Sequence, residues 1–242
     1  MKAIVTGHSR GLGAAIAAEL MQREIAVLGL ARGRNDALAR HWPGLLHEQA
    51  IDLADPRQLG SWLDSGILAA FFADQGQVLL INNAATIEPS AALPFQCAHD
   101  VAQAVMLNVG SALMLSARVA TLVQARPGCT CRILHLSSGA GRHAYPGWSV
   151  YGASKAALDQ HARAVAQDAL PWLRICSLAP GVVDTDMQAQ LRELPAERFP
   201  LRELFLSLRA QGQLAEPATC ARHLVEFLLA EAFGQQPVAS LA

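Results

Sequence analysis

The 242-residue chain predicts a single-domain α/β fold, a doubly wound parallel sheet of six to seven strands flanked by helices. Short apolar or β-branched runs alternate with longer Ala-rich stretches, which is the rhythm of βαβ units. The runs at residues 25–30 and 78–81 are apolar without alternation, as strands covered on both faces read. The length suits one large α/β domain, and a hydrophobic content of 52% can fill its core.

In chain order, residues 2–6 read as the first strand and 12–23 as the helix after it. Strands follow at 25–30 and 46–51, then a helix over 56–73 and a fourth strand at 78–81. Between 99 and 124, apolar residues at 101, 104, 105, 112, 115, 119 and 122 keep close to a helical period. A fifth strand is expected at 132–136, a helix at 151–170, a sixth strand at 174–178 and a short seventh at 237–239. Residues 182–216 break the rhythm, with Arg192, Glu193, Glu197, Arg198, Arg202 and Glu203 set around Pro195 and Pro200. This segment is expected to form a lid over a substrate.

The charge balance excludes one class of function. With 19 basic and 20 acidic residues the net charge is −1, so bulk attraction to nucleic acid is not expected. Apolar runs of about 5 to 9 residues fall short of the ~20 needed to span a bilayer, so no membrane association is expected. Met1 to Gly7 lead straight into a strand and a glycine turn, so no leader is expected. A cytoplasmic location is expected. The five cysteines contain no C-x-x-C pair and read as reduced, small hydrophobes. The eight histidines show no metal-ligand spacing, and no metal site is predicted.

The run Thr6-Gly7-His8-Ser9-Arg10-Gly11-Leu12-Gly13 joins the first strand to the first helix. Glycines there allow a tight turn and close approach of a pyrophosphate, and the helix N-terminus offers free N–H groups. This is the start of a Rossmann fold. The G-K-[ST] of a nucleoside-triphosphate loop is missing, which disfavours ATP or GTP hydrolysis. A Rossmann unit selective for NAD carries an acid at the tip of its second strand to bond the ribose 2′-OH. Here the tip reads Leu30-Ala31-Arg32-Gly33-Arg34. Arg10 and Arg32 can instead form a fork for a 2′-phosphate, so NADP(H) is the expected cofactor.

Tyr151-Gly152-Ala153-Ser154-Lys155 opens a helix and sets Tyr151 and Lys155 on one face, a turn apart. A nearby ammonium is expected to favour the phenolate and lower the tyrosine pKa, suiting Tyr151 to protonate a carbonyl oxygen. The chain holds two tyrosines and two lysines, so a chance Y-x-x-x-K has a probability of about 2%. Ser137-Ser138 ends the fifth strand, where open α/β sheets bind their ligands. Asn82-Asn83-Ala84-Ala85 ends the fourth. Asn108 interrupts an apolar helix, where an amide needs partners.

These motifs together resemble the short-chain dehydrogenase/reductase family. The match covers T-G-x-x-x-G-x-G at the glycine turn, Asp52-Leu53, N-N-A-A at Asn82–Ala85 and Asn108. A serine 13 residues before the tyrosine selects Ser138 over Ser137, and Y-x-x-x-K and Pro180-Gly181…Thr185 complete the set. The resemblance implies Tyr151 as proton donor, Ser138 holding the carbonyl oxygen, and Lys155 binding the nicotinamide ribose. It implies Asn108 as part of a water relay. Gly7, Ser9, Arg10, Gly11, Leu12, Gly13, Arg32, Asp52, Leu53, Asn82 or Asn83, Ala84, Pro180, Gly181, Val183 and Thr185 would line the cofactor. A homodimer or homotetramer through the two long helices is also implied.

Within the family, Gly147-Trp148 and Asp184-Thr185-Asp186-Met187-Gln188 resemble the branch of sepiapterin and bacterial benzil reductases. The pterin-anchoring aspartate of sepiapterin reductases has no counterpart in the closing run Gln236-Pro237-Val238-Ala239-Ser240-Leu241-Ala242, which argues against a pterin substrate. Trp148, Val182, Val183 and Met187 would give a small carbonyl substrate an apolar wall. The expected activity is hydride transfer from NADPH to a ketone or diketone. An acyl-carrier ketoreductase, another NADP-dependent alcohol dehydrogenase and a non-catalytic NADP-binding redox sensor stay open as alternatives.

Overall fold

The computed structural model describes residues 1–74, 76–195 and 199–241. Its strands are β1 (Lys2–Thr6), β2 (Ala26–Ala31), β3 (Leu46–Ala50), β4 (Gln77–Asn82), β5 (Thr130–Leu136), β6 (Leu173–Ala179) and β7 (Val238–Ser240). They pair in parallel throughout, in the order β3-β2-β1-β4-β5-β6-β7. The helices are α1 (Gly11–Gln22), α2 (Asp36–His41), α3 (Pro56–Asp64), α4 (Ile67–Phe71), α5 (Ala98–Val105), α6 (Ser111–Gln124), α7 (Ser149–Gln167), α8 (Asp186–Glu193), α9 (Arg202–Ala210) and α10 (Pro217–Leu229). The doubly wound α/β architecture expected from the sequence is the one observed.

The unalternating strands are buried for the reason their composition suggests. Val78, Leu79, Leu80 and Ile81 are each 0% exposed, because helices cover both faces of the sheet. On one face, Ile16, Leu20 and Met21 of α1 and Leu224, Val225 and Leu228 of α10 pack on Ala3, Val5, Leu79 and Leu134. On the other, Leu59 and Leu63 of α3 and Leu115, Val119 and Val123 of α6 pack on Ile4, Leu28, Leu80 and Ile133. Each fully buried side chain of leucine size contributes about 1.5–3 kcal/mol. The edge strand β3 is more polar (Leu-His-Glu-Gln-Ala) and only partly covered.

Two helices differ from their sequence reading. The stretch expected over 56–73 divides into α3 and α4 at Gly66, whose φ of +81° lies in the left-handed region that ends a helix. Asp55 starts α3, its carboxylate accepting from the N–H groups of Arg57 and Gln58 at 2.9 and 3.1 Å ahead of Pro56. The stretch from Ala98 to Gln124 runs as α5, a widened π turn at Met106–Gly110, and α6. By length and composition this stretch, which contains an 18-residue window of mean hydropathy 1.5, is long and apolar enough to cross a membrane, although no uninterrupted apolar run within it is. Ala104, Ala112, Leu115, Val119 and Val123 of this stretch are buried, and the last three pack on the sheet.

The strand order reverses between β1 and β4, and such switch points open a crevice at the strands' C-terminal ends. The ends of β1, β4, β5 and β6 bring Thr6, Asn82, Leu136 and Ala179 to that one edge, and the loops that follow build the site.

Candidate active site

The glycine turn is fixed by steric contact. Gly7 has φ +69°, and a Cβ there would lie 3.0 Å from Asn83 Nδ2. At Gly13 a Cβ would lie 2.1 Å from the Gly7 carbonyl oxygen, which no side chain allows. Asn83 braces the turn, its Nδ2 donating to the Thr6 carbonyl at 2.9 Å, while Thr6 Oγ1 accepts from the N–H groups of Asn83 and Ala84, both at 2.9 Å. The first turn of α1 has no side-chain cap, so its N–H groups face outward, with Arg10 extended ahead of them. Thr185 lies opposite: a Cβ at Gly11 would stand 3.7 Å from its Cγ2. Thr185 thus faces the turn at Gly11, and Val183 packs in the same cluster as Leu12. A glycine-rich turn, an uncapped helix start and Thr185 facing it at a switch point fit an extended dinucleotide.

The cofactor-side residues are not all arranged as the sequence suggested. Arg32 is exposed just past β2. Arg10 lies just ahead of α1. Its Nη1 lies 3.5 Å from the Asp186 carboxylate, with both side chains 68% exposed, so opposite charge turns it toward α8. Asp52 accepts from the Ala54 N–H at 2.9 Å beside the buried Leu53. The Asn82 side chain points under the sheet, donating to Ser116 Oγ at 3.3 Å and bonding His135 Nδ1 at 3.1 Å. Of the two asparagines it is Asn83 that reaches the glycine turn.

Ser138, Tyr151 and Lys155 converge. Ser138 Oγ accepts from the Ala140 N–H at 3.2 Å, and its side chain lies near enough to Tyr151 to work against the rise of the phenol pKa. Lys155 is 3% exposed, and its Nζ donates to the Leu136 carbonyl at 2.7 Å and stands 5.6 Å from the centre of the Tyr151 ring. Burial lowers the Lys155 pKa to about 8, opposed by the Asp159 carboxylate one turn further along α7. The expected lowering of the Tyr151 pKa is reversed. Burial raises it, and Ser138 opposes that only in part. The reason is geometric: the Lys155 ammonium bonds a main-chain carbonyl and lies over the ring rather than at the hydroxyl.

Asn108 sits in the π turn, 2% exposed, and its amide is fully engaged with one residue. Its Oδ1 accepts from the Thr86 N–H at 2.8 Å and its Nδ2 donates to the Thr86 carbonyl at 2.9 Å. The side chain therefore clamps the loop after β4.

Residues 182–216 return on themselves. Val183 bridges Ala215, with Asp184 N–H donating to the Ala215 carbonyl at 2.9 Å and Ala215 N–H to the Val182 carbonyl at 2.8 Å. Residues 196–198 of this segment, with the Glu197 and Arg198 noted in the sequence, lie outside the described residues. From the described part, Leu191, Phe199 and Phe205 pack with Ile87, Ala140, Trp148 and Tyr151, and Val182 and Met187 lie against the same cluster. The Trp148 ring centre is 5.1 Å from Tyr151, 5.4 Å from Phe199 and 5.5 Å from Phe205, so an aromatic wall adjoins the tyrosine.

The sequence reading missed Asp159, Thr86, Phe199 and Phe205. Asp159, 1% exposed, accepts from Arg142 Nε at 3.0 Å and Ser177 Oγ at 2.7 Å. Its signal was an acid four residues after Lys155 on one helix face. The phenylalanines carried no signal, because the path of 182–216 decides where they fall.

Comparison with known proteins identifies the family. Residues 1–196 match the family model described as short chain dehydrogenase. The chain is 30% identical over 241 residues to a benzil reductase ((S)-benzoin forming) of Bacillus cereus, covering 97% of this chain and 96% of that one. It is 30% identical over 245 residues to the sepiapterin reductase of Mus musculus, covering 95% and 92%. A solved short-chain dehydrogenase/reductase from Burkholderia vietnamiensis is 46% identical, with TM-score 0.72, covering 98% of this chain and 94% of that one. Fold, site geometry and these matches lead to one conclusion: the chain belongs to the short-chain dehydrogenase/reductase family, oxidoreductases that bind a nicotinamide cofactor.

Proposed function

We propose that this protein is an NADPH-dependent carbonyl reductase acting on a ketone or 1,2-diketone that carries an apolar or aromatic group, with Tyr151 as the general acid. The carrying observation is that Ser138, Tyr151 and Lys155 meet beside the wall of Trp148, Phe199 and Phe205. The relatives named as benzil and sepiapterin reductases support a carbonyl beside a ring system.

When bound, a reduced nicotinamide supplies the hydride. The chain's own residues prepare the acceptor. The Ser138 and Tyr151 hydroxyls are both donors aimed at one carbonyl oxygen, where negative charge develops. Because burial keeps Tyr151 protonated at neutral pH, the proton is in place before charge appears. A raised phenol pKa does not prevent transfer, since an alkoxide is a far stronger base than a phenolate. Lys155, held at about 8, is mostly ammonium at neutral pH and supports the phenolate left behind. Trp148, Phe199 and Phe205 exclude water from the oxygen and orient the apolar group.

The 2′-phosphate preference rests on the absence of an acid at the tip of β2 and on Arg32 there. The test is NADPH oxidation against benzil, a small aliphatic 1,2-dione, sepiapterin and an acetoacetyl thioester, with NADH in parallel. Turnover of benzil with NADPH above NADH is the expected result. Turnover of the thioester alone would replace this reading with a ketoreductase, and NADPH binding without turnover would favour a redox sensor.

A further inference from the structure

One buried acid away from the catalytic residues stands out. Glu48, at the centre of β3, has a side chain only 8% exposed although β3 is an edge strand. Its Oε1 accepts two hydrogen bonds from two different loops. One comes from His8 Nε2 at 2.8 Å, within the glycine turn, and the other from the main-chain N–H of Asn35 at 2.7 Å, immediately before α2. Asn35 is then held twice more. Its Nδ2 donates to the Ser9 carbonyl at 3.0 Å, and its Oδ1 caps α2 by accepting from the Leu38 N–H at 3.0 Å.

His8 is fully buried, and room for its ring exists only because residue 29 is glycine. A Cβ there would lie 2.4 Å from the ring's Cγ. The sequence thus gives up a side chain in the middle of β2 to seat this imidazole beneath the turn. The acid that other Rossmann units place at the tip of β2 is missing, and an acid one strand over grips the loop that replaces it.

Only residues 32–35 separate β2 from α2, and they include Arg32 and Arg34. With β2 fixed at one end and Asn35 fixed at the other, the backbone bearing both guanidinium groups has little freedom left. Reading a 2′-phosphate against a 2′-hydroxyl depends on where a guanidinium stands, because a charge-assisted bond needs a set distance and direction. From this we infer that Glu48 is a positioning residue for cofactor selection: by holding Asn35 and His8 together it fixes the Arg32–Arg34 segment against the glycine turn and favours NADPH over NADH. This rests on the NADPH reading above.

Binding rather than turnover tests it, so the substrate need not be known. Dissociation constants for NADPH, NADH, 2′,5′-ADP and 5′-ADP are measured by calorimetry on the wild-type chain, on Glu48→Ala and on Glu48→Gln. Glu48→Ala is expected to weaken NADPH and 2′,5′-ADP by about tenfold while NADH and 5′-ADP change by less than about twofold. Glu48→Gln keeps an acceptor for the Asn35 N–H and is expected to restore most of the difference. Asn35→Ala, which removes the bond to Ser9 and the cap on Leu38 but leaves Glu48 and its bond to the residue 35 N–H in place, serves if Glu48→Ala does not fold, and by loosening the same segment it should shift the same ratio in the same direction. Equal weakening of all four ligands, or an unchanged ratio in a folded variant, would overturn the role of Glu48. A wild-type chain that binds NADH as tightly as NADPH would instead overturn the cofactor reading itself, and the selector with it.

Discussion

Lys155 Nζ stands 5.6 Å from the centre of the Tyr151 ring and donates its 2.7 Å bond not to that side chain but to the carbonyl of Leu136 on β5. The two residues are one helical turn apart, so their shared face follows from α7 alone. What each bonds is set by the sheet beneath them. The ammonium is anchored to the last residue of the strand that leads to Ser138, and the hydroxyl is left to Ser138, which opposes the effect of burial. This division keeps the Tyr151 hydroxyl protonated and the cation nearby, and several measurable consequences of the proposed function depend on it.

Replacing Tyr151 by Phe removes the proton donor and little else, since the ring still packs on Trp148. Turnover of the best carbonyl substrate should fall by about 10²–10⁴-fold, the usual contribution of a positioned acid. The NADPH dissociation constant, read by fluorescence titration, should stay within about threefold of wild type. A variant that keeps its turnover would remove Tyr151 from the acid role.

The pH profile should report Lys155. Its pKa is lowered from 10.5 to about 8, chiefly by burial, so the ammonium is present below about 8 and lost above it. Reduction needs the cation, and kcat/KM should decline as pH rises through about 8, with no matching limb from Tyr151, whose pKa is raised. In Lys155→Gln the limb should disappear along with most of the rate. A wild-type profile flat from pH 7 to well above 9 would contradict this assignment.

Acid stability should depend on His135. Buried between Asn82 and His161, it has its pKa lowered from 6.5 to about 3 by burial first, then by His161 and Lys155. The folded form needs it neutral, while the unfolded chain takes up a proton near 6.5. Between those values the unfolded state binds more protons, so stability falls as pH drops, by up to about 1.4 kcal/mol per pH unit. Thermal melts from neutral pH down to about pH 5 should show a steeper loss for wild type than for His135→Asn, which keeps a polar group but no titration. Parallel curves would mean that other groups dominate.

Gly13→Ala should disturb both stability and cofactor binding. The added methyl would overlap the Gly7 carbonyl oxygen at 2.1 Å, and both are backbone-anchored, so the turn itself must move. A cost of about 1–3 kcal/mol is expected, or a drop of about 2–4 °C in Tm for each kcal/mol at this chain length. NADPH affinity should weaken with it. A variant with unchanged Tm and affinity would show that the turn yields more easily than its contacts imply.

Much of this was readable before any coordinates. The seven strands fall within two residues of their sequence positions, because a strand buried on both faces must be apolar throughout and the turns between must not be. The glycine turn and the Tyr151–Lys155 pair were readable for a similar reason: each is a short-range requirement, a missing side chain or a helical spacing, written within eight consecutive residues. Where local rules compete the reading slipped, as at Gly66, where one left-handed residue outweighed a helical period.

Long-range contacts were decided only by the tertiary structure. That Glu48 serves His8 and Asn35, that Asn108 clamps Thr86, and that Phe199 and Phe205 close on Trp148 all follow from how separate segments meet. So does the direction of the Tyr151 shift, which depends on how much water the segments packed around it exclude. The sequence by itself determined which groups could do the chemistry, because residue type and near spacing are local properties. Their surroundings, and hence their charge and partners, were set by folding, because burial and hydrogen bonding belong to atoms that are neighbours in space rather than along the chain.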